Sequence, residues 1–361
     1  MRRPSDLLEP NNLRLVFGAT DWARDLLSAV RADAGFVARA ARALSPLALP
    51  EPAPPAGSVF GPLDPFDVPK LRGKRIAVVA SGGSGATAAL CGVRRAFEEA
   101  GLEAAALSAC SGSMLFASLW AAGLDAEAMA KFWLELGTRD YLDPKWRDVL
   151  RAPLRRFRGF GGLLHGEALE QTYLRRFGAM KLGETRVPLS VVLWNVDTNE
   201  LRYVGTKATP DLVLARAVRA AISIPIFVEP VRMGAHEFGD GGVVDIFPTR
   251  PLADEEPLDL VVGINSYMPP DFAGEDVSGW MDETWSILRA SSQLRWSVYL
   301  ELAREHARAL GDRLVLLHPV PYAEVRGARF YDTFLDRREW PRYMRLGHAA
   351  AREALLRIGA A

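Results

Sequence analysis

Two strand–turn–helix units in succession, within residues 75–124, constrain this chain more than any other feature of its sequence. Residues 75–80 (R-I-A-V-V-A) are a short β-branched apolar run, the pattern of a strand covered on both faces. A glycine-rich turn over 81–86 feeds a predicted helix over 87–100, which Gly101 ends. A second strand is predicted at 104–108 and turns abruptly, over 109–113, into a second helix. Parallel strands joined this way need helices across the sheet, so the predicted fold class is α/β: a three-layer α/β/α sandwich around a central, mainly parallel sheet. Further strands are predicted at 187–194, 201–204, 258–264 and 313–317, with helices near 167–177, 211–220, 279–310 and 340–358.

Upstream the pattern changes. Leu26, Leu27, Val30, Phe36, Val37 and Ala40 recur at helical spacing. Pro46, Pro50, Pro52, Pro54, Pro55, Pro62, Pro65 and Pro69 then exclude regular structure, because each lacks a backbone donor and restricts its predecessor. Residues 1–69 therefore read as an N-terminal helical extension with a Pro-rich linker, or a strap laid across the main domain, and residues 70–361 as that domain. At 361 residues and 49% hydrophobic composition there is ample material for one large core.

Composition excludes several function classes. Lys+Arg and Asp+Glu both number 44, so no net positive charge favours a nucleic-acid partner. The two cysteines, Cys91 and Cys110, have neither metal-ligand nor redox spacing, and no His/Asp/Glu pair has helical ligand spacing beside a third ligand. Neither a metal nor another cofactor is expected. Met1 to Pro10 lack a secretion signal's apolar core, and no run approaches the roughly 20 apolar residues of a spanning helix. A cytoplasmic location follows, with any membrane association peripheral.

The turn Ser81-Gly82-Gly83-Ser84-Gly85-Ala86 lies between strand and helix, where glycines let backbone approach a ligand and helix-terminal amides point outward. It suits a phosphate, an oxyanion, or a tight connection with no ligand. Gly83, Gly85 and Ala88 fit the loose dinucleotide pattern G-x-G-x-x-A, but the second strand ends in Leu107-Ser108-Ala109-Cys110 without the carboxylate that ribose binding needs. A Walker loop is excluded by the missing Lys-Ser/Thr pair. The second strand instead delivers a serine to a sharp turn, Ala109-Cys110-Ser111-Gly112-Ser113, whose small flanking residues match a nucleophile elbow by size where G-x-S-x-G would match by identity. Far downstream, Gly239-Asp240-Gly241-Gly242 sets an aspartate among glycines, after the apolar, proline-containing segment 220–230 (A-A-I-S-I-P-I-F-V-E-P).

In the order glycine-rich loop, elbow serine, apolar proline-containing segment and D-G-G, the chain resembles the patatin-like phospholipase family over roughly residues 71–358. The stretch 330–337 (F-Y-D-T-F-L-D-R) looks like the end of bacterial members. The resemblance implies a patatin-like fold, Ser111 as nucleophile, Asp240 as its base, and an oxyanion hole at Gly82, Gly83, Ser84 and Gly85 with Gly112. It implies a serine acyl-ester hydrolase, a phospholipase A-like esterase, with an acyl-ester or lipid substrate. A member that binds lipid or a partner without turnover is the alternative. His236 lies nearest Asp240 in sequence, but a hairpin-like turn between them places it at the rim. Residues 151–164, where Arg151, Arg155, Arg156 and Arg158 alternate with Leu154, Phe157, Phe160, Leu163 and Leu164, are the expected site of peripheral lipid contact.

Overall fold

The first strand, Ile76–Ala80, is buried at all five positions, and its alternate side chains enter two different cores. Ile76, Val78 and Ala80 face one helical layer while Ala77 and Val79 face the other, which is the three-layer arrangement the β-branched run predicts. The structure, a computed structural model, describes residues 57–155, 158–254, 257–274, 278–282, 286–335 and 337–360. The predicted helices of 22–44, most of the Pro-rich stretch, and Arg156, Phe157 and Asp336 lie outside them.

In chain order the strands are β1 (Ile76–Ala80), β2 (Ala104–Ala109), β3 (Gly162–Leu164), β4 (Leu189–Asn195), β5 (Glu200–Gly205), β6 (Ile226–Val228), β7 (Val231–Met233), β8 (His236–Asp240), β9 (Leu260–Ile264) and β10 (Leu314–Leu317). The main sheet runs β10-β9-β1-β2-β4-β8-β7, with β5 also paired to β4, while β3 and β6 form a separate parallel pair. The first five strands of that order are mutually parallel; β5, β7 and β8 add antiparallel pairs.

One face is covered by α1 (Ala89–Glu99), α2 (Met114–Ala121), α3 (Ala126–Glu135), α5 (Glu167–Phe177) and α6 (Leu214–Ala221). The short α4 (Trp146–Arg151) lies between α3 and α5 in the chain. On the other face, α7 (Ser286–Leu310) supplies Leu300 and Ala303. The chain then passes through α8 (Ala328–Leu335) to α9 (Trp340–Gly359), which returns to the first face against α1. That last contact is backbone to backbone. A Cβ on Gly347 would stand 2.0 Å from the Ala89 carbonyl oxygen, and one on Gly92 1.9 Å from that of Met344, so only glycine permits this approach.

Residues 57–69, the described end of the Pro-rich stretch, contact this helical face. The Phe66 amide donates to the Glu99 carbonyl at 3.1 Å, Ser58 Oγ donates to Glu127 at 2.9 Å, and Val68 is buried against Gly359.

Candidate active site

Strand β4 decides where the site forms. Ser190 and Val191 pair with β5 and with β2, and Leu193 to Asn195 pair with β5 and with β8, so β2 and β8 occupy the same edge of β4. They run in opposite directions along it, and their C-terminal ends meet head-on. The residue at the end of β2 leads into Ser111; the residue at the end of β8 is Asp240. The sequence predicts a hairpin-like turn between His236 and Asp240, and the structure corrects this: residues 236–240 are a strand laddered to β4 on one side and β7 on the other.

At the elbow Cys110 is extended, at φ −142°, and Ser111 turns to φ +50°, beginning a short 3-10 turn that continues into α2. Side chains seldom occupy this left-handed region, because Cβ crowds the following carbonyl. Neighbouring residues hold it there. Gly112 passes so near the glycine loop that a Cβ would lie 2.1 Å from the Gly83 carbonyl oxygen. Ser113, at a position where a small residue is predicted, also braces the turn. Its Oγ has the Cys110 carbonyl at 2.7 Å and the Ala80 carbonyl at 3.1 Å as acceptors for its one proton and accepts from the Cys110 amide at 3.2 Å, bracing the turn on itself and beside the end of β1.

Asp240 is 2% exposed, receives a 2.8 Å hydrogen bond from the Gly242 amide on Oδ1, and lies beside the Ser111 side chain. Burial pushes its carboxyl from an ordinary 3.8 up to about 7, and interaction with the Ser111 side chain and the Gly242 amide offsets part of the rise. Both following glycines are required by contact. A Cβ on Gly241 would sit 2.6 Å from the Val192 carbonyl carbon, and one on Gly242 2.9 Å from Asp240 Oδ1 and 3.2 Å from Ser111 Cβ.

The glycine loop lies beside this pair, with the Cβ position of Gly82 3.2 Å from Ser111 Cβ. One of its expected donors is otherwise engaged: the Gly82 amide donates to the Ile246 carbonyl at 3.0 Å, which withdraws it from the oxyanion set. The amides of Gly83, Ser84, Gly85 and Gly112 make no hydrogen bond among the described residues. The loop is held from outside by the end of the chain. Ser84 Oγ donates to the Phe330 carbonyl at 2.5 Å and contacts Thr333 Oγ1, and a Cβ on Gly85 would fall 1.8 Å from the Thr333 carbonyl oxygen.

Sequence reasoning misses the segment that joins these parts, residues 245–248. Its carbonyls accept from Gly82 N and Cys110 Sγ (both to Ile246) and from Ser108 Oγ (to Pro248). Beneath it, buried Asp245 accepts from Tyr203 Oη at 2.6 Å and lies 3.3 Å from His306 Nδ1. Backbone acceptors carry no sequence signal, so nothing in D-I-F-P marks this role.

All five histidines have partners away from the pair. His165 meets Glu229, His236 Asp197, His306 the Phe247 carbonyl and Asp245, His318 Asn265 and Asp271, and His348 Glu99. His236, at 3.5 Å from Asp197, is half exposed at the rim.

The structure thus brings together a strained elbow serine, a buried carboxyl and unengaged loop amides at one end of the parallel strands of an α/β sheet. Residues 78–253, which hold Ser111, Asp240 and the glycine loop, match the family model described as patatin-like phospholipase. No curated protein matches the chain. Among solved structures it is similar to VipD from Legionella pneumophila (16% identity, 78% of this chain and 66% of that one, TM-score 0.46). It is similar also to full-length ExoU of the Pseudomonas aeruginosa type III secretion system, crystallised with SpcU (15%, 88% and 62%, TM-score 0.42). A third is human GIVD cytosolic phospholipase A2 with a methyl gamma-linolenyl fluorophosphonate inhibitor (11%, 79% and 59%, TM-score 0.41). The chain thus spans less than two thirds of each of these proteins.

Proposed function

We propose that the chain is a serine acyl-ester hydrolase that cleaves lipid or other long-chain acyl esters through Ser111 and Asp240, with neither a histidine nor a cofactor. The observation that carries this reading is the placement of Ser111, held at φ +50° on its elbow, beside Asp240, a carboxyl that burial brings to about 7. An ordinary carboxylate is a feeble base toward a hydroxyl, and a general base works best with its pKa near the working pH. The family match over residues 78–253 supports the same class of substrate.

Ionised Asp240 takes the hydroxyl proton as Ser111 Oγ bonds to the ester carbonyl carbon, and the carbonyl electron pair moves onto oxygen. Amides of Gly83, Ser84, Gly85 and Gly112 are the donors available to that oxyanion; a single such donor contributes about 2.7–4 kcal/mol in other hydrolases. Collapse breaks the ester C–O bond, and the departing alcohol takes the proton from Asp240. Water then attacks the acyl-serine with Asp240 again as base, releasing the carboxylic acid and returning the proton to Ser111.

The test is turnover of a chromogenic acyl ester together with labelling by a fluorophosphonate, read by peptide mass. Turnover that disappears in Ser111→Ala, and a single label on Ser111, are expected. A protein that binds vesicles but neither hydrolyses the ester nor takes the label would replace this reading with that of a lipid binder without turnover.

A further inference from the structure

The surface beside the proline-containing segment is apolar where it should be polar. Trp146, Leu150 and Leu154 follow at i, i+4 and i+8 along α4 and the turns after it, so they share one side, while Ala152 on the other side is buried. Leu150 is 76% and Leu154 86% exposed, unusual for leucines so close together. Leu163 of β3 and Ile226 of β6 continue the exposed apolar surface, since Gly162 pairs with Ile226 and the Lys145 amide donates to the Leu163 carbonyl at 2.9 Å.

The unit is rigidly mounted. Lys145, buried at the start of α4, pairs with Glu229 just after β6, and Glu229 also meets His165 at 3.2 Å. It is also mounted next to the chemistry: the Asp240 amide donates to the Ser223 carbonyl at 3.0 Å, and Ile226 is three residues farther along the same segment.

Arg147, Arg151, Arg155 and Arg158 surround the apolar residues, are exposed, and form no ion pair among the described residues. Four unneutralised guanidinium groups around exposed leucines and a tryptophan complement an anionic, apolar-cored surface. Among the described residues no helix is long and apolar enough to cross a membrane, so contact of this kind lies in the interface plane.

We propose that this face, formed by Trp146, Leu150, Leu154, Leu163 and Ile226 with the four arginines, docks the chain on an anionic lipid bilayer and presents the Ser111 site to lipid esters within it. The proposal rests on the hydrolase reading for its purpose but not for its measurement. The sequence places lipid contact at residues 151–164; the structure extends the surface to α4 and β6, whereas Phe157 lies outside the described residues.

The full chain carrying Ser111→Ala, which leaves vesicles intact, is titrated with phosphatidylcholine vesicles with and without phosphatidylserine. Binding that needs phosphatidylserine and weakens with salt is expected, with Leu150→Ser/Leu154→Ser and, separately, Arg147→Glu/Arg151→Glu/Arg155→Glu each losing at least about tenfold in affinity. All substituted residues are exposed, so thermal melts should match the parent. With Ser111 restored, the same surface variants should hydrolyse a water-soluble short-chain ester at the parent rate. Equal affinity for both vesicle types, or parental affinity in both sets of variants, overturns the docking surface; binding to a protein partner at this face without vesicle binding overturns it equally. Loss of soluble-ester turnover in the parent would instead sink the hydrolase reading while the vesicle result still judges the surface.

Discussion

Ala109 and Asp240 hang from one edge of one strand, paired with Val191 and Leu193 respectively. Because β2 runs with β4 and β8 runs against it, the only residue of β4 between the two pairings, Val192, has to span the gap that the elbow fills. The Ser111–Asp240 contact is therefore a consequence of sheet register, and a one-residue slip of β8 would turn the carboxyl to the other face of the sheet.

Direct action of Asp240 on Ser111 makes a specific demand on mutants. Asp240→Asn keeps the shape and can still accept from the Gly242 amide, but an amide cannot take a proton from the serine. Turnover should fall by about 10³-fold or more, Ser111→Ala should match it, and the double variant should be no worse than either, since residues acting as a unit are non-additive. His236→Ala should keep most of the activity, because that ring meets Asp197 at the rim. Ester hydrolysis rates of the four variants decide this; an active Asp240→Asn enzyme would remove Asp240 as the base.

The same carboxyl sets two pH dependences of opposite sign. Only ionised Asp240 can act as base, so kcat/KM should rise with pH through about 7. For stability, the folded value lies above the ordinary 3.8, so the folded protein binds this proton more tightly than the unfolded chain does. That contribution is complete below about 4 and is lost as pH rises through about 7, a change on the order of 4 kcal/mol at about 1.4 kcal/mol per pH unit. Asp240→Asn lacks the titration. Melts from pH 5 to 8 should show the wild type losing stability relative to Asp240→Asn; parallel curves would mean that Asp240 does not titrate in this range.

Strain at the elbow can be separated from loss of the hydroxyl. Ser111→Ala and Ser111→Gly both remove Oγ, but only glycine adopts φ +50° without crowding. Ser111→Gly should therefore be the more stable of the two inactive variants by about 1 kcal/mol. Denaturant unfolding of the pair measures the difference, and equal midpoints would locate no strain at this position.

How far the site is legible in sequence depends on whether a residue's role is carried by its own side chain or by another residue's backbone. Ser111, Asp240 and the loop glycines declare themselves because a sharp turn, a carboxylate set among glycines and close backbone approach each need particular residue types, and β1 because an apolar β-branched run marks a buried strand. β8 is not legible: H-E-F-G-D has no apolar alternation, and its strand character comes from ladders to β4 and β7, which are non-local. The engagement of the Gly82 amide is hidden for a similar reason, since its acceptor is the carbonyl of Ile246, a group every residue carries. Helix ends differ from the pattern by a few residues, as with α6, which begins at Leu214 instead of 211 after its 3.6-residue pattern has already started.

The end of the chain should matter to catalysis although it lies outside the matched residues 78–253. Thr333 meets Ser84 from α8, and Trp340 Nε1 donates to the Thr333 carbonyl at 2.8 Å, so the glycine loop rests on a frame built by α8 and α9. Gly85→Ala would drive a methyl to 1.8 Å from that carbonyl and 2.4 Å from the indole nitrogen; backbone must move, and either the loop or the frame gives way. Loss of fold is one result of such a clash, so the sharper variant is Thr333→Val, nearly isosteric and 6% exposed, which removes only the hydroxyl that Ser84 contacts. A buried hydroxyl's hydrogen bond is a modest stability term of about 1 kcal/mol, and the melt of Thr333→Val should fall accordingly. If the loop amides stabilise the oxyanion, loosening them should lower kcat by about tenfold or more while leaving KM for a soluble ester nearly unchanged, because the interaction exists only in the transition state. Steady-state kinetics of Thr333→Val supply the comparison. A raised KM with kcat intact would assign the loop to ground-state binding and take the oxyanion role away from it.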